Sequence, residues 1–359
     1  MIRRTQYLIN IKMKKLTIII TLIALPFIRL SGQDIHFSQY YNTPLIVNPA
    51  LTGVFGGDQR AMLVYRNQWL TVATPYQTYG GSFDMRMLEK SYGNFSLGTG
   101  LSVYKDVAGD VGLGITNVML SLSGIIQLNK KQHFTIGAQG GFEQRSINNA
   151  DLIWGSQYDG AGYNATLPSR ELTDYNQGIS NGDINVGLAW IYSESTKTIT
   201  SNDNFSLKLG AVYQHITQQK LNYGGITDQL YNKISVHGES NLGISNSNTS
   251  FKPSFIYQKQ GPSQEILLGT LLRYKLGFDS QYTGLLQSSA VFLGLHARIG
   301  DAFIPSVGYE IANWKITFSY DANVSKLRDA TNGVGGFELT LTFINPSPFK
   351  SGRSSARFN

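Results

Sequence analysis

The residues best suited to metal or acid–base chemistry are five histidines, His36, His133, His215, His237 and His296, spread along the 359-residue chain. No pair of them has zinc-ligand spacing with an acid close by, so no metal site is expected. His133 and His237 fall inside predicted strands, where a hydrogen-bonded structural histidine is the simpler reading. Asp106 and Asp110 bring two carboxylates into one short loop, which reads as a solvated turn or a loose cation contact. The glycine clusters GGITD (224–228) and GVGG (333–336) lack the strand–loop–helix setting and the lysine of a phosphate loop, and read as turns. No G-x-S-x-G elbow occurs. The expectation is therefore a protein without catalytic, cofactor-binding or metal-binding residues. An outer-membrane hydrolase would need a Ser–His pair at the lipid face.

The elements behind these residues point the same way. Residues 1–32 hold six bases (Arg3, Arg4, Lys12, Lys14, Lys15, Arg29), no acid, and the apolar run LTIIITLIALPFI. That run is short for a spanning helix, and Ser31 and Gly32 follow it, so the segment reads as a secretory signal peptide. Met13 opens a more typical signal than Met1, and with no cysteine there is no acylation site. Without 1–32 the balance of 30 bases against 23 acids becomes 24 against 23, so the basic character lies in the leader and gives no reason to expect nucleic acid.

The remaining 327 residues are rich in Gly, 12% aromatic and only 15% charged over the whole chain, where soluble domains carry about 25% charge. No later apolar run approaches the roughly 20 residues of a membrane helix, so strands must do any spanning. Period-two alternation runs through several segments. Phe95, Leu97, Thr99, Leu101 and Val103 alternate with Ser96, Gly98, Gly100 and Ser102; Tyr79, Phe83, Met85 and Met87 oppose Gly80, Ser82, Asp84 and Arg86. Trp314, Ile316, Phe318 and Tyr320 oppose Lys315, Thr317, Ser319 and Asp321; Phe337, Leu339, Leu341 and Phe343 oppose Gly336, Glu338, Thr340 and Thr342. These segments run to about ten residues or more, longer than ordinary strands. Tyr65, Trp69, Tyr104, Trp190, Tyr192, Tyr274, Trp314 and Tyr320 sit near strand ends, as interfacial girdles require.

The fold expected is all-β: a transmembrane antiparallel β-barrel of about 14 strands, over 60–344, with a plug-like amino-terminal segment. Strands are predicted near 60–70, 75–87, 94–105, 113–128, 132–145, 182–193, 204–217, 231–244, 249–259, 264–276, 285–298, 302–311, 313–324 and 334–344. The long connections 146–181 and 218–230 then share the outer face, and both barrel ends face the periplasm. Residues 33–59 show no strand of their own but carry aromatics and two prolines, and should dock in the lumen or under it. A basic tail, 345–359, completes the chain. Loop 146–181 holds Trp154, Tyr158, Tyr163 and Tyr175, a candidate recognition surface unless it folds back as a lid.

Phe37-Ser38-Gln39-Tyr40, then Asn48-Pro49-Ala50 with Gly53, then Tyr65-Arg66-Asn67-Gln68-Trp69, resemble the opening of the PorP/SprF family. Trp154-Gly155-Ser156-Gln157-Tyr158, His237-Gly238 and the run from Tyr320 to Leu327 resemble its later landmarks, so the likeness spans nearly the whole mature chain. It implies an outer-membrane protein of type IX secretion and gliding in Bacteroidetes-type bacteria, with no catalytic role. The implied partners are membrane lipid and either the secretion and gliding proteins or the carboxy-terminal domains of exported surface proteins. Relatives often end in a stretch containing proline and cysteine, whereas this chain ends INPSPFKSGRSSARFN without cysteine. A passive porin is the alternative: it would share the barrel, but its first strand would consume the amino terminus.

Overall fold

The computed structural model describes residues 34–69, 74–92, 94–109, 112–146, 153–168, 178–194, 205–223, 226–277, 288–325, 328 and 331–345. The chain runs through β1 (Gln59–Gln68), β2 (Tyr76–Tyr92), β3 (Phe95–Ala108), β4 (Leu113–Gln127), β5 (Gln132–Ser146), β6 (Ile179–Glu194) and β7 (Phe205–Gln214). A short hairpin, β8 (Lys220–Tyr223) and β9 (Ile226–Gln229), follows. Then come β10 (Lys233–Gly243), β11 (Thr249–Gln260), β12 (Ser263–Gly277), β13 (Ser289–Arg298), β14 (Ala302–Ile311), β15 (Trp314–Asn323) and β16 (Val334–Asn345). All but β8 and β9 form one closed antiparallel barrel of 14 strands, each beside its chain neighbour, with β1 closing onto β16. The closing register pairs Gln59 with Asn345, Leu63 with Leu341 and Tyr65 with Leu339. Closure leaves no strand edge with unpaired N–H and C=O groups, the condition for a sheet to sit in lipid.

The barrel agrees with the alternation in the sequence, while three details differ. The hairpin β8–β9 was not expected, because four-residue strands are too short to show a period. β13 begins at Ser289 rather than near 285, and β2 extends to Tyr92. Among the described residues, no helix is long and apolar enough to cross a membrane.

The two faces of the sheet differ in chemistry. Outward positions are apolar and open: Leu120 is 66% exposed and Leu293 60%. A continuous apolar band of this kind is unstable against water and suits lipid. Tyr65 packs on Tyr79 and Phe337 (ring centroids 5.0 and 5.8 Å), and Trp314 on Phe343 (4.7 Å), forming aromatic clusters on that face. Tyr104 departs from the expected girdle. It is buried, on the same strand face as Ser102, because its parity in β3 turns it inward.

Inward positions are polar, and they are larger and more charged than the Gly, Ser and Thr of the sequence pattern alone. Arg66, Asp84, Glu143, Asp183, Arg298 and Glu338 are all buried there. Residues 34–58 lie against this inner face. Three apolar clusters join them to it: Phe37 with Met62 and Val64; Tyr40 with Ile256, Leu267, Ala302 and Ile304; and Ala50 with Ala189 and Ile191. The apolar core of the protein is therefore the seam between this segment and the wall.

Because neighbouring strands run in opposite directions, the barrel has two distinct mouths. At the near mouth β1 begins and β16 ends. The connections 147–178 and 215–232 both leave from the far mouth, as the parity argument requires, and those joining β6 to β7 and β12 to β13 belong to the near one.

Candidate functional site

Ser38 and Gln39 lie in a turn whose backbone donors cannot be satisfied locally, so their partners must come from the wall. Both are supplied by one carboxylate on β16. The Ser38 amide donates to Glu338 Oε2 (2.9 Å) and the Gln39 amide to Glu338 Oε1 (3.0 Å). The Ser38 hydroxyl donates to Asp321 on β15 (2.8 Å) and accepts from Arg298 on β13 (2.8 Å). Arg66 on β1 bridges Asp321 (3.3 Å) and Glu338 (3.6 Å), and it donates to the carbonyl of His36. Arg298 in turn reaches Asp321 (3.2 Å) and Glu265 on β12 (3.4 Å). The Gln39 amide side chain donates to Ser319 Oγ (3.0 Å) and to the Glu338 carbonyl (2.9 Å). Buried charges survive only when paired and hydrogen-bonded. This network meets that requirement, and the segment completes it.

Asn48 forms a second anchor. The four-residue helix α1 (Pro44–Val47) ends there and a 3₁₀ turn (Pro49–Leu51) begins, each opened by a proline whose missing N–H costs nothing at that position. Asn48 Oδ1 accepts from the Ala50 amide (2.8 Å), while Nδ2 donates to the Leu188 carbonyl (3.1 Å) and lies 3.0 Å from His237 Nε2. The backbone approaches so closely that glycine is needed opposite it. A Cβ at Gly187 would overlap Asn48 Oδ1, and one at Gly137 would overlap the Pro49–Ala50 peptide. Gly53, at φ +72°, turns the chain out toward β1. Its amide donates to Asp84 (2.8 Å), itself paired with Arg60 (2.8 Å), and its carbonyl accepts from Arg86 (2.8 Å).

The segment starts at the far mouth. Asp34 pairs there with Lys233 (3.0 Å) and His215 (3.2 Å), and His215 Nδ1 lies 3.0 Å from Asp183. Burial alone would lower the pKa of His215, but hydrogen bonds to Asp183 and Asp34 outweigh it and raise the imidazolium to about 10. Burial pushes the Asp34 carboxyl up, and Lys233 and His215 overcome it, leaving it well below the ordinary carboxylate range.

The residues singled out in the sequence therefore divide. Ser38, Gln39, Asn48, Gly53 and Arg66 hold polar contacts to the wall; Phe37, Tyr40 and Ala50 supply apolar ones, and Pro49 sits beside Gly137. Tyr65 faces outward; Asn67 donates to its hydroxyl (3.2 Å). Gln68 is half-buried and registers with Gly336, while Trp69 stands edge-on to Tyr76 (4.8 Å). In the long connection, Trp154 is half-buried, and Tyr158 and Tyr163 are exposed and joined by an antiparallel bridge. Tyr175 lies outside the described residues. Sequence reasoning missed Glu338, Arg298, Asp84 and Glu265. The signal was present in part: a charged residue at inward parity, among small neighbours, needs a partner inside the barrel. Among the described residues, no group of three or more His, Asp or Glu is placed to hold a metal ion.

The family described as type IX secretion system membrane protein PorP/SprF matches residues 30–343. The chain belongs to the PorP/SprF family. It is a type IX secretion system membrane protein with an outer-membrane β-barrel fold. No curated protein matches the chain. Among solved structures, BamA from Haemophilus ducreyi lacking POTRA domains 1–3 is 10% identical, covering 80% of this chain and 70% of its own, with a TM-score of 0.42. A deletion mutant of the TodX monoaromatic hydrocarbon channel is 11% identical over 84% of this chain and 93% of its own, TM-score 0.41. A Pseudomonas aeruginosa FadL homologue is 11% identical over 83% and 98%, TM-score 0.38.

Proposed function

We propose that this family member is an outer-membrane anchor of the type IX secretion and gliding machinery. In this reading residues 33–59 plug the lumen, and the mouths hold partner proteins rather than conduct solutes. Residues 1–32 are a cleaved signal peptide, so the mature chain begins near Gln33; the first described residue, Asp34, lies at the far mouth. The near mouth, with both barrel ends, faces the periplasm. The partners are secretion or gliding components, or the carboxy-terminal domains of exported surface proteins.

The observation that carries this reading is the path of residues 34–58. They contact Lys233 and His215 at the far mouth and reach Asn345 at the near one, where the Asp58 amide donates to its carbonyl (3.0 Å). On the way they bond to residues of β1, β2, β6, β13, β15 and β16. A passive porin has no use for a segment laid along its lumen and held there by buried hydrogen bonds and ion pairs, each costly to desolvate.

Planar-bilayer recording of the mature protein and of a form lacking 37–53 tests the plug. The intact protein should be nearly silent, and the deletion should open steps of conductance. Open, porin-sized steps from the intact protein would refute it. Crosslinking in native membranes tests the docking role: a barrel that captures no secretion, gliding or exported surface protein is not an anchor. Amino-terminal sequencing of the same material should begin near Gln33, and retention of Lys14 and Lys15 would exclude the signal peptide.

A further inference from the structure

Of the motif from Tyr65 to Trp69, Arg66 serves the segment, while Tyr65 and Asn67 alternate with it onto the outer wall, near the far end of β1. Strand registers build a patch there in rows. Asn67 lies opposite Gln77, Tyr65 opposite Tyr79, and Leu63 opposite Gly81. On the next strand Lys105 stands opposite Tyr79, and Val103 opposite Gly81. Side chains that meet lipid are ordinarily apolar, so two amides and an ammonium side by side on this face call for a polar neighbour outside the chain.

The upper rows are held in place by their own hydrogen bonds. The Asn67 amide donates to the Tyr65 hydroxyl (3.2 Å), and the Tyr79 hydroxyl donates to Gln77 Oε1 (3.1 Å). The Tyr65 and Tyr79 rings lie 5.0 Å apart, and Tyr79 is exposed. Asn67 is only 5% exposed, and its Oδ1 has no hydrogen-bond partner among the described residues. A buried amide left half paired is costly, and a hydroxyl, donor and acceptor at once, completes it. Lys105, exposed beside Tyr79, brings a positive charge. One row lower the wall is apolar. Leu63 is exposed there, and Gly81 leaves a notch beside it, where an added Cβ would stand 3.2 Å from Leu63 Cδ2. Two strand spacings separate β1 from β3, about 10 Å, which suits two linked sugar rings better than a single glycerol.

We infer that this patch holds a phosphorylated glycolipid of the surrounding membrane. Its sugar hydroxyls meet Asn67 and Gln77, a ring face lies on Tyr79, and a phosphate meets Lys105. An acyl chain runs down past Leu63 into the notch at Gly81. Lysine binds phosphate as a point charge, and amphipathic tyrosines sit by preference at headgroup level, so each contact falls at the height its chemistry requires. The site rests on the orientation proposed above only for the leaflet that supplies the lipid.

The test is native mass spectrometry of the full mature protein in detergent, titrated with diphosphoryl lipid A, with its dephosphorylated form, or with phosphatidylglycerol. Lipid A should bind at least tenfold more tightly than phosphatidylglycerol, and millimolar inorganic phosphate should not displace it. Lys105→Met, which keeps the stem and removes the charge, should abolish the advantage of the phosphorylated form. Asn67→Leu and Gly81→Leu should each weaken both forms at least tenfold, the second by filling the notch. Lys259→Met, at an exposed position near the far end of β11, should change nothing. Gln77→Leu replaces Asn67→Leu if that variant loses the heat-modifiable mobility of a folded barrel. Equal affinity for lipid A and phosphatidylglycerol, displacement by inorganic phosphate, or full affinity in a folded Lys105→Met or Asn67→Leu barrel would overturn the inference. A loss in Lys259→Met as large as in Lys105→Met would also overturn it, leaving only a general attraction of rim charges. Binding in detergent does not depend on orientation. Labelling of Tyr158→Cys on intact cells with a membrane-impermeant maleimide reads orientation separately, so a wrong leaflet and an absent site are told apart.

Discussion

Glu338→Ala is the most informative single change, because one carboxylate holds two amides of the segment and one guanidinium of the wall. Its removal leaves the Ser38 and Gln39 amides, at 2.9 and 3.0 Å, without acceptors in a buried site. Each orphaned buried donor costs about 1–3 kcal/mol. Arg66 keeps Asp321 at 3.3 Å but loses its second carboxylate, and breaking a buried pair costs about 3–5 kcal/mol when no other partner remains. Much of this is recovered if the segment undocks and its amides meet water, so the variant should relieve itself that way. Taking about 3 kcal/mol as the weakening of docking, the undocked population rises on the order of a hundredfold. The barrel wall keeps its complete ladder of strand pairs and should stay folded. Hydrogen exchange of peptides covering 34–58, in nanodiscs, reads the population directly. Glu338→Gln, which keeps one acceptor oxygen, should fall between the variant and the wild type. Unchanged exchange in a folded Glu338→Ala barrel would refute the reasoning: the segment would then be held by its apolar clusters, with the ion network contributing little.

The far mouth should respond to pH. The His215 imidazolium, raised from 6.5 to about 10, contributes stability that is complete below 6.5, declines as pH rises, and is gone once pH passes about 10. Asp34 stays ionised over this window, since its pKa is lowered. His215→Gln should therefore speed exchange of residues 34–36 relative to the wild type at pH 7, with the difference vanishing near pH 10; a difference constant from pH 7 to 11 contradicts this. In the long connection, replacing Trp154 and Tyr158 together by alanine should leave heat-modifiable mobility intact while releasing a surface-held partner. If the double variant keeps its full complement of surface protein, recognition lies at the near mouth.

Much of the barrel was legible because lipid imposes a strict code. Where one face meets hydrocarbon and the other does not, each strand must alternate, and stretches such as 95–103 and 337–343 show it without help from neighbours. Strand number followed from counting these stretches. Of the amino-terminal lead the sequence showed only that its aromatics and prolines fit no strand. Tertiary structure alone decided what it docks against. Ser38 meets Asp321, 283 residues away, and Gln39 meets Glu338, 299 away, because closing the barrel places β1 beside β16 and turns both carboxylates inward. Period two assigns a residue to a face but says nothing of its partners across the lumen. For that reason Glu338 and Lys315 looked like ordinary polar positions; Tyr104 was placeable, because its parity with Ser102 turns it inward. The meeting of Phe337 and Leu339 with Asn67 and Tyr65 on the outer wall likewise needs the first and last strands to be curled together, which only closure of the sheet provides.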